Sequence, residues 1–244
     1  MANPVIRESG QMTPVVAHSA SFSTSANVKA QDFLVVFHAL DYNAATELLT
    51  PTGGSGTWAL QATGDAGSTN PSIKGWLLPV TADGVQTVTV TQQRLAGDPQ
   101  LSTQYAHWTV INGAGVTLSV DGTPSNVNGT TASTAQTFAA ITTVGADDLW
   151  MGCIMSGTFT DGNYTTPSGA TLVAEEDNPG AATIASYRQL LTSSGSTGTK
   201  TATFSTSQPW CSVALAIQSV ASAATPAPRP PVVSTAAVQR AASW

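Results

Sequence analysis

An ordered set of strand-like motifs occurs twice in this chain. Asp32-Phe33-Leu34 is echoed by Asp147-Asp148-Leu149, and Pro51 with Thr57-Trp58-Ala59-Leu60 by Pro167 with Ala170-Thr171-Leu172-Val173. Ile73-Lys74-Gly75-Trp76 matches Ile184-Ala185-Ser186-Tyr187. Gly84 with Thr87-Val88-Thr89-Val90 matches Gly198 with Thr201-Ala202-Thr203-Phe204, and Gln104-Tyr105 matches Pro209-Trp210. Chance likeness between Thr-rich strands accounts for one or two such matches, not for the ordered set. A half of four or five strands exposes one apolar sheet face to water. Two such halves satisfy each other by packing face to face. The repeat therefore predicts one two-sheet antiparallel β-sandwich over residues 14–220, with halves at about 14–120 and 121–220 and a short segment, 1–13, ahead of it.

Local patterning agrees. Short β-branched and aromatic runs predict strands at 15–24, 32–40, 57–62, 73–80, 86–92 and 104–111. A second series follows at 116–120, 136–142, 148–155, 170–175, 183–191, 199–205 and 210–220. Asp83-Gly84, Asn112-Gly113, Asp121-Gly122, Asn128-Gly129, Asp161-Gly162 and Pro179-Gly180 supply turn chemistry between them. Only 44–49 tolerates a helical turn, and Pro51 ends it. Charged residues make up 9% of the 244 residues, against about 25% in an ordinary soluble domain. Ser, Thr, Ala and Gly take their place, which suits small polar strand faces and surfaces covered by neighbours, since charge is costly to bury at an interface.

From residue 221 the composition changes. Pro226, Pro228, Pro230 and Pro231 force an extended, polyproline-like arm. Val232, Val233, Val238 and the terminal Trp244 follow it. Aliphatic residues and a tryptophan are unusual in a free tail, so the arm is expected to anchor on a partner.

With 8 Lys and Arg, a net charge of −6 and no basic run, the chain lacks the clustered cations that nucleic-acid binding needs. No stretch approaches the apolar length of a membrane span, and the first residues do not read as a signal peptide, so a cytosolic origin without membrane insertion is expected. Cys153 and Cys211 sit in apolar runs outside any zinc spacing and read as buried thiols, although sequence alone leaves a disulfide open. His18, His38 and His107 each fall in a predicted strand, with His38 on the face of Leu34 and Val36. The run Glu175-Glu176-Asp177 reads as an exposed turn rather than a catalytic pair, because three consecutive acids cannot share one strand face. No nucleophile elbow, phosphate loop or zinc motif occurs, so no catalytic residue, metal or cofactor is expected. Trp58, Trp76, Trp108, Trp150 and Trp210 lie in predicted strands and read as core. Tyr42, between Asp41 and Asn43, is the aromatic expected to be exposed and to touch any ligand.

Taken together, the Asp-Phe-Leu-Val-Val strand, the Pro/Gly-rich loop with Thr-Trp, the Thr-alternating strand and the second copy at 166–173 and 195–203 resemble the jelly-roll-like sandwich proteins of actinobacterial phages and prophages. The likeness spans roughly 14–220, and the Pro-rich arm also looks like the tails of such minor virion proteins. It implies an all-β, jelly-roll-like sandwich and a non-enzymatic place in the virion, a minor tail protein first. A capsid decoration protein, or a carbohydrate-binding adhesion module on host polysaccharide, is the alternative. Other virion proteins and copies of the chain itself, trimers among them, are the partners it implies.

Overall fold

The computed structural model of the protein describes residues 3–25, 28–42, 47–67, 69–93, 102–157, 162–178 and 181–221. The first half contributes β1 (Val5–Gln11), β2 (Val15–Val16), β3 (Ser19–Ser23), β4 (Phe33–Leu40), β5 (Thr52–Gly53), β6 (Ala59–Asp65), β7 (Ser72–Pro79), β8 (Thr87–Thr91) and β9 (Thr103–Asn112). The second contributes β10 (Val116–Val120), β11 (Ser125–Phe138), β12 (Thr142–Thr143), β13 (Asp148–Ser156), β14 (Tyr164–Thr165), β15 (Thr171–Asp177), β16 (Thr183–Leu191), β17 (Gly195–Ser196) and β18 (Lys200–Ala221). Among the described residues there is no α-helix, and no helix long and apolar enough to cross a membrane. Within the segment read as a helical turn, Leu48 instead bridges Gln92, while 44–46 lie outside the described residues.

Strand order displays the repeat. The first large sheet runs β1-β9-β4-β7-β6, with β2 also on β9. The second runs β10-β18-β13-β16-β15, with β11 and β14 also on β18. A bulge falls between Leu60 and Ala62 where β6 meets β7, and another between Leu172 and Ala174 where β15 meets β16. Leu60 faces Trp76 and Leu172 faces Tyr187, so the aromatic match between the halves is in register. Following the pairings onward makes Leu149, not Asp148, the counterpart of Phe33, since these residues face Ile217 and Ile111. The motif alignment was thus one residue out at Asp32, whose counterpart is Asp148. Strands alternate faces, so a slip of one residue exchanges inside for outside.

Alternation then builds three cores. In β4, Val35, Phe37 and Ala39 point one way; in β13, Leu149, Met151, Cys153 and Met155 do. These side chains meet between the two large sheets, joined by Ile73, Tyr105, Val213, Leu215 and others. This is the face-to-face sandwich that the repeat predicts. The opposite faces are apolar too. Leu34, Val36, Trp76 and Trp108 are covered by Phe22, Val88 and Val90 from the three-stranded layer β3-β8-β5. Trp150, Ile154 and Tyr187 are covered by Phe138, Tyr164, Ala202 and Phe204. Both large sheets are therefore covered on both sides, which is why β4 and β13 read as unbroken apolar runs. Each fully buried large side chain is worth roughly 1.5–3 kcal/mol, so the three clusters carry the fold with few ion pairs. Cys153 and Cys211 are free thiols in the central core.

Several local expectations change. Segment 1–13 is not a preamble, because β1 is the edge strand of the first large sheet, paired with β9. Asn128-Gly129 is not a turn but lies inside the 14-residue β11, where Gly129 faces Trp210. A Cβ at Gly129 would stand 2.3 Å from the Trp210 ring, so the glycine makes room for the indole. The first half keeps β8 and β9 as separate strands, whereas the second runs the equivalent segments together as the 22-residue β18.

Candidate functional site

Several side chains capable of acid, base or nucleophile chemistry lie inside the fold. His38 on β4 donates from Nε2 to Gln104 Oε1 on β9 at 3.2 Å, and its Nδ1 has no hydrogen-bond partner. Burial, with Lys74 nearby, pulls its pKa down to about 4, so the ring is neutral at physiological pH. Around it, Lys74 Nζ donates to the Leu48 carbonyl at 2.8 Å and Thr103 N donates to Asp41 at 2.9 Å. Gln92 donates to Glu47 at 3.2 Å. His107 Nδ1 lies 3.0 Å from Ser186 Oγ across the space between the large sheets. A serine beside an imidazole is the pairing that activates a nucleophile. Here the imidazole is only 2% exposed and the hydroxyl only 3%, and burial lowers the His107 pKa to about 3. A base so weak and a hydroxyl so enclosed have no access to substrate. These groups tie strands and sheets together.

Asp32 is likewise structural. Its carboxylate lies 3.0 Å from Arg7 Nε and accepts from the amides of Lys29 (2.9 Å) and Gly113 (2.8 Å). Removing it strands two amides and leaves the Arg7 guanidinium to Asn112 alone. Asp32→Ala should therefore lower stability by about 2 kcal/mol, read as a lower urea midpoint at unchanged slope.

The remaining sequence-marked residues scatter. His18 is exposed in a bend between β2 and β3 rather than in a strand. Glu175-Glu176-Asp177 is the end of β15, not a turn. Pairing with β16 holds that backbone, and the three acids take different partners: Tyr164 N, Gln11 Nε2 and Thr183 Oγ1. Trp76, Trp108, Trp150 and Trp210 are core, as expected. Trp58 lies just before β6, half-buried, with its Nε1 donating to the Gly53 carbonyl at 2.9 Å. Tyr42 is half-buried, and its carbonyl accepts from Ser102 at 2.5 Å. The arm residues Pro226, Pro228, Pro230, Pro231, Val232, Val233, Val238 and Trp244 lie outside the described residues.

The surface feature that recurs in both halves is a pair of uncharged hydroxyl ladders. On the outer layer of the first half, Ser19, Ser21 and Ser23 face Thr91, Thr89 and Thr87 across β3 and β8. Ser21 and Thr89 hydroxyls are 2.6 Å apart, and those of Ser23 and Thr87 are 2.9 Å apart. On the second half, Thr165 lies beside Thr203, and Thr137 beside Thr201, on the corresponding layer. The reason is local alternation. Val88, Val90, Ala202 and Phe204 turn inward to their cores, so the intervening threonines turn outward. Such faces offer hydrogen bonds without charge, so covering them carries little desolvation cost compared with a charged face. They offer no acid, base or nucleophile with a shifted pKa.

Sequence reading passed over one further cluster, Asp121 with Asp148. Asp121 accepts from the amides of Val144 (2.8 Å) and Gly145 (2.7 Å). Burial, and then Asp121 beside it, push the Asp148 pKa up to about 6. In the sequence the two acids stand only as turn and strand-edge residues, and the one-residue slip at Asp32 hides their correspondence with the first half. No protein-family model, no curated protein and no solved structure matches the chain.

Proposed function

We propose that this chain is a non-enzymatic structural protein of a bacteriophage particle, a minor tail protein, made in the host cytoplasm and assembled into the virion. The observation that carries the reading is the pair of uncharged Ser/Thr ladders on the two outer layers of a charge-poor sandwich. Neighbouring virion subunits, other copies of this chain included, would cover those faces, and the C-terminal arm would anchor the assembly. The likeness to minor virion proteins supports the same role. A sugar-binding module would present tryptophans outward, whereas four of the six here are buried.

Proline fixes φ and removes backbone donors. The arm is thus stiff before it docks and loses less entropy on docking than a flexible tail. Deleting 225–244 should leave the melting temperature within about 2 °C of the full chain, the scale of a sub-kcal/mol change, while incorporation into particles falls severalfold. Melts and quantitative blots of purified particles read both. Normal incorporation of the truncated chain would remove the anchoring role, and a collapsed melt would place the arm in the chain's own core. Purified host cell-wall polysaccharide should remain uncleaved after prolonged incubation with the chain. Product release lost on Glu176→Ala would refute the non-enzymatic reading.

A further inference from the structure

The two halves carry opposite charges at one corresponding place. In the first large sheet Ile6 faces Ile111, and in the second Val120 faces Ile217. The next residue along is Arg7 in one half and Asp121 in the other. Asp32 and Asp148 correspond in the same frame, since each precedes the residue that faces Ile111 or Ile217. Where the first half pairs a guanidinium with Asp32 at 3.0 Å, the second sets a carboxylate beside Asp148.

That second place is short of positive charge and of donors. Asp148 is 0% exposed, and no donor meets either of its carboxylate oxygens in good hydrogen-bonding geometry, although Asp121 and the Thr143 hydroxyl stand beside it. The neighbouring Thr143 hydroxyl donates to the Gly195 carbonyl at 3.3 Å. Asp121 is 4% exposed, and its Oδ2 is held by two backbone amides. Gly145 has no side chain there. Asp148 Oδ1, Gln218 Oε1 and Asp121 Oδ2 stand 3.0, 3.0 and 3.3 Å from where its Cβ would be. Three oxygens from three segments thus converge on one small region of the second half.

We propose that Asp121, Asp148 and Gln218 bind a divalent cation, Ca²⁺, in the place that the first half fills with Arg7. The donors are all oxygen, two of them carboxylate, the set that a hard cation takes. Ca²⁺ accepts irregular oxygen geometry at about 2.3–2.6 Å, whereas Mg²⁺ demands a near-ideal octahedron and gives up water reluctantly. A bound cation would do for Asp148 what Arg7 does for Asp32. It would tie β13 to the chain leaving β10.

The test uses the full chain, stripped with chelator, at neutral pH. CaCl₂ at about a hundredfold excess over its dissociation constant should raise the melting temperature by about 5–10 °C, with matching heat in calorimetry. MgCl₂ should do markedly less. Asp148→Asn and Asp121→Arg should both abolish the response, the latter while melting higher than the stripped wild type, because it rebuilds the first half's ion pair. Gln218→Ala, a change at a partly exposed side chain, should weaken Ca²⁺ binding about tenfold and covers the case in which an aspartate variant does not fold. A wild-type chain that shows neither heat nor a shifted melt with Ca²⁺ holds only a shared proton there, and the proposal is wrong. It is equally wrong if Asp148→Asn keeps the response or if Mg²⁺ matches Ca²⁺.

Discussion

Acidification from pH 6.5 to pH 4 should cost this fold on the order of 4 kcal/mol net, driven by two histidines. His38 and His107 are both fully enclosed, and burial lowers their pKa values from 6.5 to about 4 and about 3. In the unfolded chain each takes up a proton below pH 6.5, while in the fold each stays neutral. Their contribution is therefore complete above pH 6.5 and is lost as the pH falls towards the folded values. At about 1.4 kcal/mol per pKa unit, each costs ~3 kcal/mol by pH 4. Asp41, Glu176 and Asp148 act in the opposite sense, because burial raises their pKa values and the fold takes up their protons first. Glu176 is half-exposed, so solvent screening limits its share, while the enclosed Asp148 returns about 2 kcal/mol of the loss. The histidines win, and the net loss is a large fraction of a total stability of about 5–15 kcal/mol. Urea midpoints across this range should fall steeply for the wild type. For His38→Gln with His107→Gln the line should be much flatter, whatever its height. An unchanged slope in the double variant would mean that other groups govern acid lability.

Trp150→Ala should lower stability by about 3–5 kcal/mol. The indole is 0% exposed and meets the Phe138 ring edge-on at 5.2 Å. Lys200 Nζ lies 5.1 Å above it. Two residues on, Gly152 leaves the slot open, since a Cβ there would stand 2.6 Å from the indole and 2.8 Å from Phe138. The first half solves the same place differently, with Leu34 and Val36 at the corresponding positions of β4. Trp150→Leu should accordingly recover less than half of the loss, whereas Trp150→Leu with Gly152→Val should recover more, because the pair restores the first half's packing. Chemical denaturation of the three variants reads this directly. A loss below ~1 kcal/mol for Trp150→Ala would show that the slot collapses freely.

Much of this architecture was legible in the sequence, for identifiable reasons. Thr87-Val88-Thr89-Val90 and Thr201-Ala202-Thr203-Phe204 alternate cleanly because one face meets a core and the other meets water. Trp76 and Tyr187 fell into register because large aromatics mark a position unambiguously. Where both faces are apolar, as in Phe33-Leu34-Val35-Val36-Phe37, alternation vanishes and the frame can slip. That is where Asp32 was matched one residue early. The outer layers were not foreseen as separate coverings, since nothing in a single strand tells which of two apolar faces meets the partner half. The carboxylate pair was hidden for a related reason. Asp121 and Asp148 are 27 positions apart in sequence and are joined only by sheet register.

The long final strand carries a mechanical consequence. β18 is hydrogen-bonded antiparallel to β10 on one side, from Val116 opposite Ala221 to Val120 opposite Ile217, and to β13 on the other. A pull directed along the β18 axis runs parallel to both seams and across their hydrogen bonds. Those bonds must then yield together in shear rather than open one after another like a zip. Such a strand resists traction far better than its equilibrium stability alone implies, because forced rupture follows the unfolding barrier. A load along β18 is thus borne by two hydrogen-bonded seams at once.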